Sequence, residues 1–359
     1  MKGKRMKGLI LSGGRGSRLR PITYTQAKQL VPVANKPVLF YGIEAMLEAG
    51  IKDIGIVVGD TREEIKAAVG DGSQWGMKVS YIEQEAPLGL AHAVLVAQEF
   101  LQDEPFVMYL GDNLIKQGIK DFVGEFQRNT CHSQILLAKV PNPQQFGVAE
   151  LVADKVVRLV EKPKEPKSDL ALVGVYMFDQ HIFDAAKNIR PSWRGELEIT
   201  DAIQYLIDQG YEIRSHIIKG WWKDTGKIED LLEANRIILD SLENRLEGAI
   251  DSGSRVDFKV VLEPGSEVIN STIRGPAIIG HNTKIIDSFI GPFTSIGPEC
   301  LIQHSEIEHS IVMESSSIKS VNRRIADSLV GKNVEVVSTT AKPGTYRLML
   351  GDFSRIVLP

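Results

Sequence analysis

Apolar and polar positions follow two different periods along this chain. Over the first two thirds, short apolar runs of strand length alternate with stretches of helical spacing. Lys7 to Leu11 reads as a strand, Val38 to Ala49 as a helix ending at Gly50, and Asp53 to Val58 as a strand. Arg62 to Val69 follows as a helix, Lys78 to Ile82 as a strand, Leu90 to Leu101 as a helix, and Pro105 to Leu110 as a strand running into Gly111-Asp112-Asn113. Strands separated by helices imply right-handed crossovers, hence a Rossmann-like α/β architecture: a mostly parallel sheet with helices on both faces. Strands over Gln134 to Val140, Gly147 to Leu151 and Leu172 to Phe178 extend that sheet, with helices over Ile199 to Asp208 and Lys227 to Arg245.

After about Gly248 helical periodicity stops. Val256, Leu262 and Val268 are six apart, as are Ile273, Ile279 and Ile285, and Ile290, Ile296 and Ile302. The triplets restart every seventeen residues, at Val256, Ile273, Ile290 and then Ile307, with Gly and Pro between them. One inward aliphatic per six residues fits a triangular parallel β-helix whose stacked coils bury a continuous core. The repeat weakens after Ile318, and Arg347 to Leu358 reads as a closing strand or cap. The chain is therefore expected to hold two domains, 1–247 and 248–359.

Composition changes this picture little: 43% hydrophobic and 25% charged residues are ordinary for globular domains. A net charge of −4 with no long basic block argues against nucleic acid as the main partner, although a local cationic loop suffices for one triphosphate. Two distant cysteines, Cys131 and Cys300, make no disulfide framework and point to a reduced, cytoplasmic protein. The apolar run Leu9 to Leu11 is too short for a signal-peptide core, and no segment approaches the ~20 apolar residues of a membrane span.

Candidate chemistry begins after the first strand, at Ser12-Gly13-Gly14-Arg15-Gly16-Ser17-Arg18-Leu19-Arg20-Pro21. Glycines let backbone N–H groups approach phosphates closely. No Gly-Lys-Ser/Thr follows, which excludes a P-loop, and Leu19 stands where a dinucleotide fingerprint needs its third glycine. Arg18 adds a bidentate cation and Lys28, downstream, a point charge. Taken alone, such a loop is equally a surface turn with solvated arginines. Asp112 sits where a central strand should end, the usual place for ligands in open parallel sheets. Asp224, in Trp222-Lys223-Asp224-Thr225-Gly226, reads either as a helix N-terminal acid or as a metal ligand. If Asp112 and Asp224 meet, two carboxylates plus phosphate oxygens suit Mg²⁺. No His/Cys cluster has the sequence spacing of a zinc site.

As an ordered set, these stretches resemble the sugar nucleotidyltransferase family, and within it the longer glucose-1-phosphate thymidylyltransferases. The resemblance covers roughly Met6 to Leu246, and the longer form typically carries a left-handed β-helix tail. It rests on Gly13 to Pro21, Lys28-Gln29-Leu30-Val31-Pro32-Val33, Gln84 with Pro87-Leu88-Gly89-Leu90-Ala91, Gly111-Asp112-Asn113, Phe146-Gly147-Val148, Glu161-Lys162-Pro163-Lys164, Gly174-Val175-Tyr176, Arg194-Gly195-Glu196-Leu197-Glu198-Ile199-Thr200-Asp201 and Trp222 to Gly226, in family order. It implies a 1–247 catalytic domain that joins dTTP and glucose 1-phosphate into dTDP-glucose and pyrophosphate with Mg²⁺. Arg18, Lys28, Asp112, Lys162 and Asp224 would be catalytic, with Asp112 and Asp224 as metal ligands. Leu11, Gly13, Gly14, Gly16, Ser17, Arg18, Gln84, Pro87, Gly89 and Asp112 would surround the nucleotide. Gly147, Glu161, Lys162, Val173, Tyr176, Arg194 and Glu196 would hold the sugar phosphate. Repeat surfaces of the β-helix kind often self-associate, so a homo-oligomer is expected, and the lack of a long apolar segment leaves no membrane partner expected.

Departures are mild in the loop, Ser12 for Ala and Ser17 for Thr. Phe146 and Val173 replace the Tyr and Thr of the short form and bear on sugar selection. A uridylyltransferase, another sugar-1-phosphate nucleotidylyltransferase and a non-catalytic sugar-nucleotide scaffold are the rival readings. A fourth is a bifunctional acyltransferase using His281, His304 or His309, which read more simply as exposed turn residues.

Overall fold

The computed structural model describes residues 6–14, 16–129, 131–342 and 345–357. The chain divides into two units, the first made of Met1–Arg15, Gln26–Leu30 and Val38–Asp224, the second of Gly16–Thr25, Val31–Pro37 and Thr225–Pro359.

The first unit is built on a nine-stranded sheet. Strands β1 (Lys7–Leu11), β2 (Asp53–Val58), β3 (Lys78–Glu83) and β4 (Phe106–Leu110) are parallel, in the order β4-β1-β2-β3. β1 is apolar on both faces because both are covered. Leu9 joins one core cluster with Val94 and Ile203, whereas Ile10 joins another with Leu39 and Ile43. Helices α1 (Val38–Glu48), α2 (Arg62–Val69), α3 (Leu90–Val96) and α4 (Gln98–Leu101) carry the crossovers. The single helix predicted over Leu90 to Leu101 is two, broken at Ala97, whose ψ of −1° leaves the helical range. Beyond β4 the sheet continues as a short strand β5 (Asn113–Ile115), then β6 (Ser133–Lys139), β7 (Gly147–Val152), β8 (Lys155–Glu161), β9 (Leu170–Phe178) and β10 (Ile213–Ile217). β5 pairs instead with β11 (Trp222–Asp224) in a ribbon of its own. Within the large sheet only β8 and β9 run against the other strands. Helices α5 (Lys120–Arg128), α6 (His181–Asn188) and α7 (Ile199–Asp208) complete the unit.

The second unit opens its long segment with α8 (Ile228–Asp240), shorter than the helix predicted to Arg245. Arg245 and Leu246 are taken instead by the first strand of a left-handed β-helix, opposite Val261 and Leu262. Three parallel sheets stack coil on coil, with Ile273 over Ile290 and Ile290 over Ile307. Val268, Ile279, Ile285, Ile296 and Ile302 are buried between them, each contributing about 1.5–3 kcal/mol of apolar burial. The coils do not end where the repeat fades. Strands continue to Val337, but Ile302 pairs with Ile318 sixteen residues on and Ile307 with Ile325 eighteen on, which breaks the even period. No strand forms over 345–357, so the predicted closing strand is absent from the described part of that stretch, and Leu358 lies outside the described residues. Two early segments belong to this unit. Ala34 donates its N–H to the Asn235 side-chain Oδ1 at 2.8 Å, and the Asn35 side-chain amide donates to the Ile296 backbone carbonyl at 2.8 Å. The Arg20 guanidinium lies 4.8 Å from the Tyr24 ring and 5.8 Å from that of Phe353.

Candidate functional site

The chain leaves β1 toward β2 and β3 and returns to its other side for β4, so the loops after Leu11 and Leu110 lie at the switch in strand order. In open α/β sheets that crevice receives the ligand. The two loops are joined at the base. Gly111 donates its N–H to the Leu11 carbonyl at 2.9 Å, and a Cβ there would meet the same oxygen at 2.9 Å. Gly13 stands beside Gln84, and a Cβ on Gly14 would lie 3.3 Å from the Lys28 ammonium.

Lys28 donates to the Asp112 carboxylate. Burial by itself pushes the Asp112 carboxyl up, but the Lys28 charge and hydrogen bond, with the Asn113 amide, outweigh it and hold the group below the usual carboxylate range. Asn113 is the hub: its amide donates to Asp112 at 3.0 Å, its side-chain oxygen accepts from the Trp222 indole at 2.6 Å, and its carbonyl accepts from the Tyr109 hydroxyl at 3.1 Å. Asp224 lies directly across the β5–β11 ribbon from Asn113, and Asp112 is the turn residue just before that paired position. Sequence reasoning named Asn113 only as a motif letter. Its role lies in contacts from distant parts of the chain, which no local pattern reveals.

Gln84 ends β3. Its amide donates to the Gly89 carbonyl at 3.2 Å and lies 3.0 Å from Nδ1 of His92, a neighbour the sequence did not single out. Pro87 is exposed. The loop is laced to the Arg194 segment: Leu197 donates to the Leu88 carbonyl at 2.7 Å, and Ala91 donates to the Leu197 carbonyl at 3.0 Å. Gly89 has φ +105°, and a Cβ would fall 2.3 Å from the Leu197 carbonyl oxygen. Gly89→Ala is therefore expected to cost about 1–3 kcal/mol and to raise KM for both substrates, because it parts two loops at once. Thermal unfolding and two-substrate kinetics check this; a rise for one substrate alone would separate the loops.

A second group of charges surrounds Glu161. In the β7–β8 hairpin Glu161 pairs with Gly147, where a Cβ would strike Thr200 at 2.6 Å and Leu172 at 2.8 Å. Lys162, at φ +43°, donates its N–H to Phe146 at 3.0 Å and holds its ammonium 3.7 Å from Glu161. Arg194 reaches Glu161 at 3.7 Å, Glu196 at 2.9 Å and Glu198 at 3.3 Å. Burial and the Glu198 charge push Glu161 up, while Lys162 and Arg194 pull it back. Tyr176 is buried beside it. Burial first, and the Glu161 charge second, raise its hydroxyl, which stays a neutral donor. Glu198, almost fully buried and bonded by the Ser192 hydroxyl at 2.8 Å, was missed because it reads as the acid before a helix. The Val173 side chain lies in the opposite core cluster from Tyr176.

Gly16, Ser17 and Arg18 belong to the second unit. Gly16 enters a 3₁₀ turn at φ +62°, the Thr23 hydroxyl donates to its carbonyl at 2.7 Å, and Ser17 and Arg18 are exposed. His281, His304 and His309 each face a surface carboxylate, Glu263 at 3.7 Å, Asp287 at 3.6 Å and Asp327 at 2.5 Å.

The nucleotidyl transferase family profile matches residues 7–241. A glucose-1-phosphate thymidylyltransferase of Streptomyces griseus is 55% identical over 351 residues, covering 98% of this chain and 99% of its own. Another, of Streptomyces antibioticus, is 56% identical over 353 residues with the same coverage. The solved structure of a UDP-glucose pyrophosphorylase in complex with UDP-glucose superposes with a TM-score of 0.60 at 26% identity, over 66% of this chain and 99% of that one.

Proposed function

We propose that this chain, which belongs to the nucleotidyl transferase family, transfers a thymidylyl group from dTTP to glucose 1-phosphate, releasing pyrophosphate and dTDP-glucose. The observation that carries the reading is the Lys28–Asp112 ion pair at the switch point of the sheet, with Asp224 across the adjoining ribbon from Asn113, in a chain with two thymidylyltransferase relatives of matching length. Catalysis belongs to residues 1–247 in this reading. The β-helix of 248–359 supports contacts between copies in a cytoplasmic homo-oligomer.

A sugar-phosphate oxygen attacks the α-phosphorus in line while pyrophosphate leaves opposite. No general base is needed, because a phosphate monoester with second pKa near ~6 is mostly dianionic at neutral pH. Repulsion between two polyanions is the barrier, so positioning and charge neutralisation do the catalysis. Lys28 and Arg18 neutralise the triphosphate, the N–H groups of Gly13, Gly14, Gly16 and Ser17 cradle it, and Leu11 floors the base pocket. Lys162 and Arg194 hold the acceptor phosphate, and Glu161, Glu196, Tyr176 and Gly147 line the sugar, whereas the Val173 side chain, in the opposite core cluster, takes no part in that lining. Asp112 and Asp224 offer only oxygen donors, and Asp112 is held ionised, which fits a hard divalent cation. We assign Mg²⁺, which when bound supplies charge to the triphosphate oxygens.

Gln84, Pro87 and Gly89 face the pyrimidine in this assignment. Gln84→Ala should narrow the preference for dTTP over CTP by about tenfold, with little change in KM for glucose 1-phosphate. Unchanged selectivity would remove Gln84 from base recognition. The whole reading is tested by pyrophosphate release across dTTP, UTP, GTP, ATP and CTP against glucose, galactose, mannose and N-acetylglucosamine 1-phosphates. The highest kcat/KM is expected for dTTP with glucose 1-phosphate. A peak at UTP would favour the uridylyl reading, and silence across the grid would favour the scaffold.

A further inference from the structure

His132 meets Asp179 and His181, which follow it at a long distance in sequence, at the other end of the main sheet. Phe178, at the end of β9, pairs with Phe106 at the start of β4, whereas Asp112 follows the end of β4. Asp179, just past β9, is therefore at the sheet end opposite Asp112. His132 immediately precedes β6, and His181 opens α6. The His132 Nδ1 lies 2.8 Å from one Asp179 oxygen and the His181 Nδ1 2.9 Å from the other. Among the described residues this is the group of histidine, cysteine and acidic side chains whose donor atoms come within 4.8 Å of one another. No run of the sequence has zinc spacing because forty-seven residues separate His132 from Asp179.

The group is held from several sides. Asp179 donates its N–H to the His132 carbonyl at 3.1 Å, and His132 donates its own to Glu212 at 3.1 Å. The His181 N–H donates to Asp179 Oδ1 at 3.0 Å, so the carboxylate also fixes the start of α6. The two imidazoles stand edge to face at 4.7 Å, and the Tyr211 ring packs 4.8 Å from each. The three side chains are 32%, 17% and 31% exposed, in the order His132, Asp179, His181, so an ion can reach them from solvent.

We propose that His132, Asp179 and His181 form a binding site for a divalent transition-metal ion of the zinc class, separate from the Asp112 end of the sheet. Two imidazole nitrogens and one carboxylate oxygen, completed by water, suit Zn²⁺, Co²⁺ or Ni²⁺ and are poor ligands for Mg²⁺ or Ca²⁺. The donor atoms, now within 4.8 Å of one another, must draw in to the roughly 3 Å separation of ligand atoms about 2.1 Å from one ion. Each neutral imidazole carries its proton on the nitrogen away from the metal, so the Nδ1 lone pairs replace the present contacts to Asp179. Cys131, next in sequence, is fully buried and is not among the donors that meet here. The bound ion clamps β6, β9 and α6.

The test uses the untagged full chain, stripped of metal and dialysed against Zn²⁺ in excess Mg²⁺, which keeps oxygen-only sites occupied. The wild type should take up a single Zn²⁺ per chain, and its ring-proton resonances for His132 and His181 should shift. Asp179→Asn and His181→Gln should each weaken Zn²⁺ by about a hundredfold. Thermal unfolding should rise with Zn²⁺ in the wild type and not in His181→Gln. Should Asp179→Asn unfold, His181→Gln and the wild-type resonances decide. Equal Zn²⁺ uptake in wild type and His181→Gln, or no shift of the two imidazoles, overturns the site and leaves a purely hydrogen-bonded His-Asp-His cluster.

Discussion

Asp112→Asn is expected to lower turnover by about a thousandfold, while the protein remains folded. The amide keeps the shape of the carboxylate but only one acceptor oxygen, so it can accept from Lys28 or from Asn113, which now use different oxygens, and the loop keeps one of the two contacts. What it loses is the negative charge. Asp112→Ala is the harsher probe, because it leaves the largely buried Lys28 ammonium without its carboxylate, and breaking a buried pair costs about 3–5 kcal/mol. The loss in Asp112→Asn should appear in kcat at saturating dTTP and should not be recovered by raising Mg²⁺ within solubility. Asp224→Asn should behave alike, and the double variant should be little worse than either single one, because two ligands to one ion fail as a unit. Pyrophosphate release, with circular dichroism to confirm folding, measures all three. Turnover within tenfold of wild type in Asp112→Asn would end the two-carboxylate assignment.

The period of the apolar residues made the architecture legible. β1, α2 and α7 begin and end where spacing places them: β1 and α7 are apolar enough for burial to decide their boundaries, whereas the polar α2 buries only Ile65 and Val69 and stops at Gly70, φ +64°. The failures have physical reasons too. β8, Lys-Val-Val-Arg-Leu-Val-Glu, lies on the solvated rim with exposed Lys155, Val157 and Arg158, so its apolar signal is broken by charge. Coils past Ile318 were lost when their length changed from seventeen to sixteen and eighteen residues, a change the stacked strands absorb at their corners. For the site, the sequence supplied residue types but not neighbours. Nothing in Gly111-Asp112-Asn113 says that Trp222 will fix Asn113, or that β11 will bring Asp224 opposite it. Likewise the tie between Gly89 and Leu197 is a backbone event, invisible to side-chain motifs.

Arg194→Ala should raise KM for glucose 1-phosphate by about a hundredfold and leave KM for dTTP within a few-fold of wild type. The argument starts from charge. Around Arg194 stand three carboxylates, Glu161, Glu196 and Glu198, against two cations, Lys162 and Arg194 itself. A dianion entering that group gains only through the cations. A guanidinium has five N–H donors, so Arg194 can keep a carboxylate and still present a fork to phosphate. Lysine cannot, and Arg194→Lys should recover only part of the loss. The same removal acts on Glu161. Burial and Glu198 already raise it, and Arg194 is one of the groups holding it down. A carboxyl whose folded pKa lies above its ordinary value loses its charge at higher pH on acidification. The acid limb of kcat/KM for glucose 1-phosphate should therefore move to higher pH in Arg194→Ala, in the direction opposite to the effect of Glu198→Gln. A residue that merely packed the loop would change KM without moving that limb, so the pH profile separates phosphate binding from structural support.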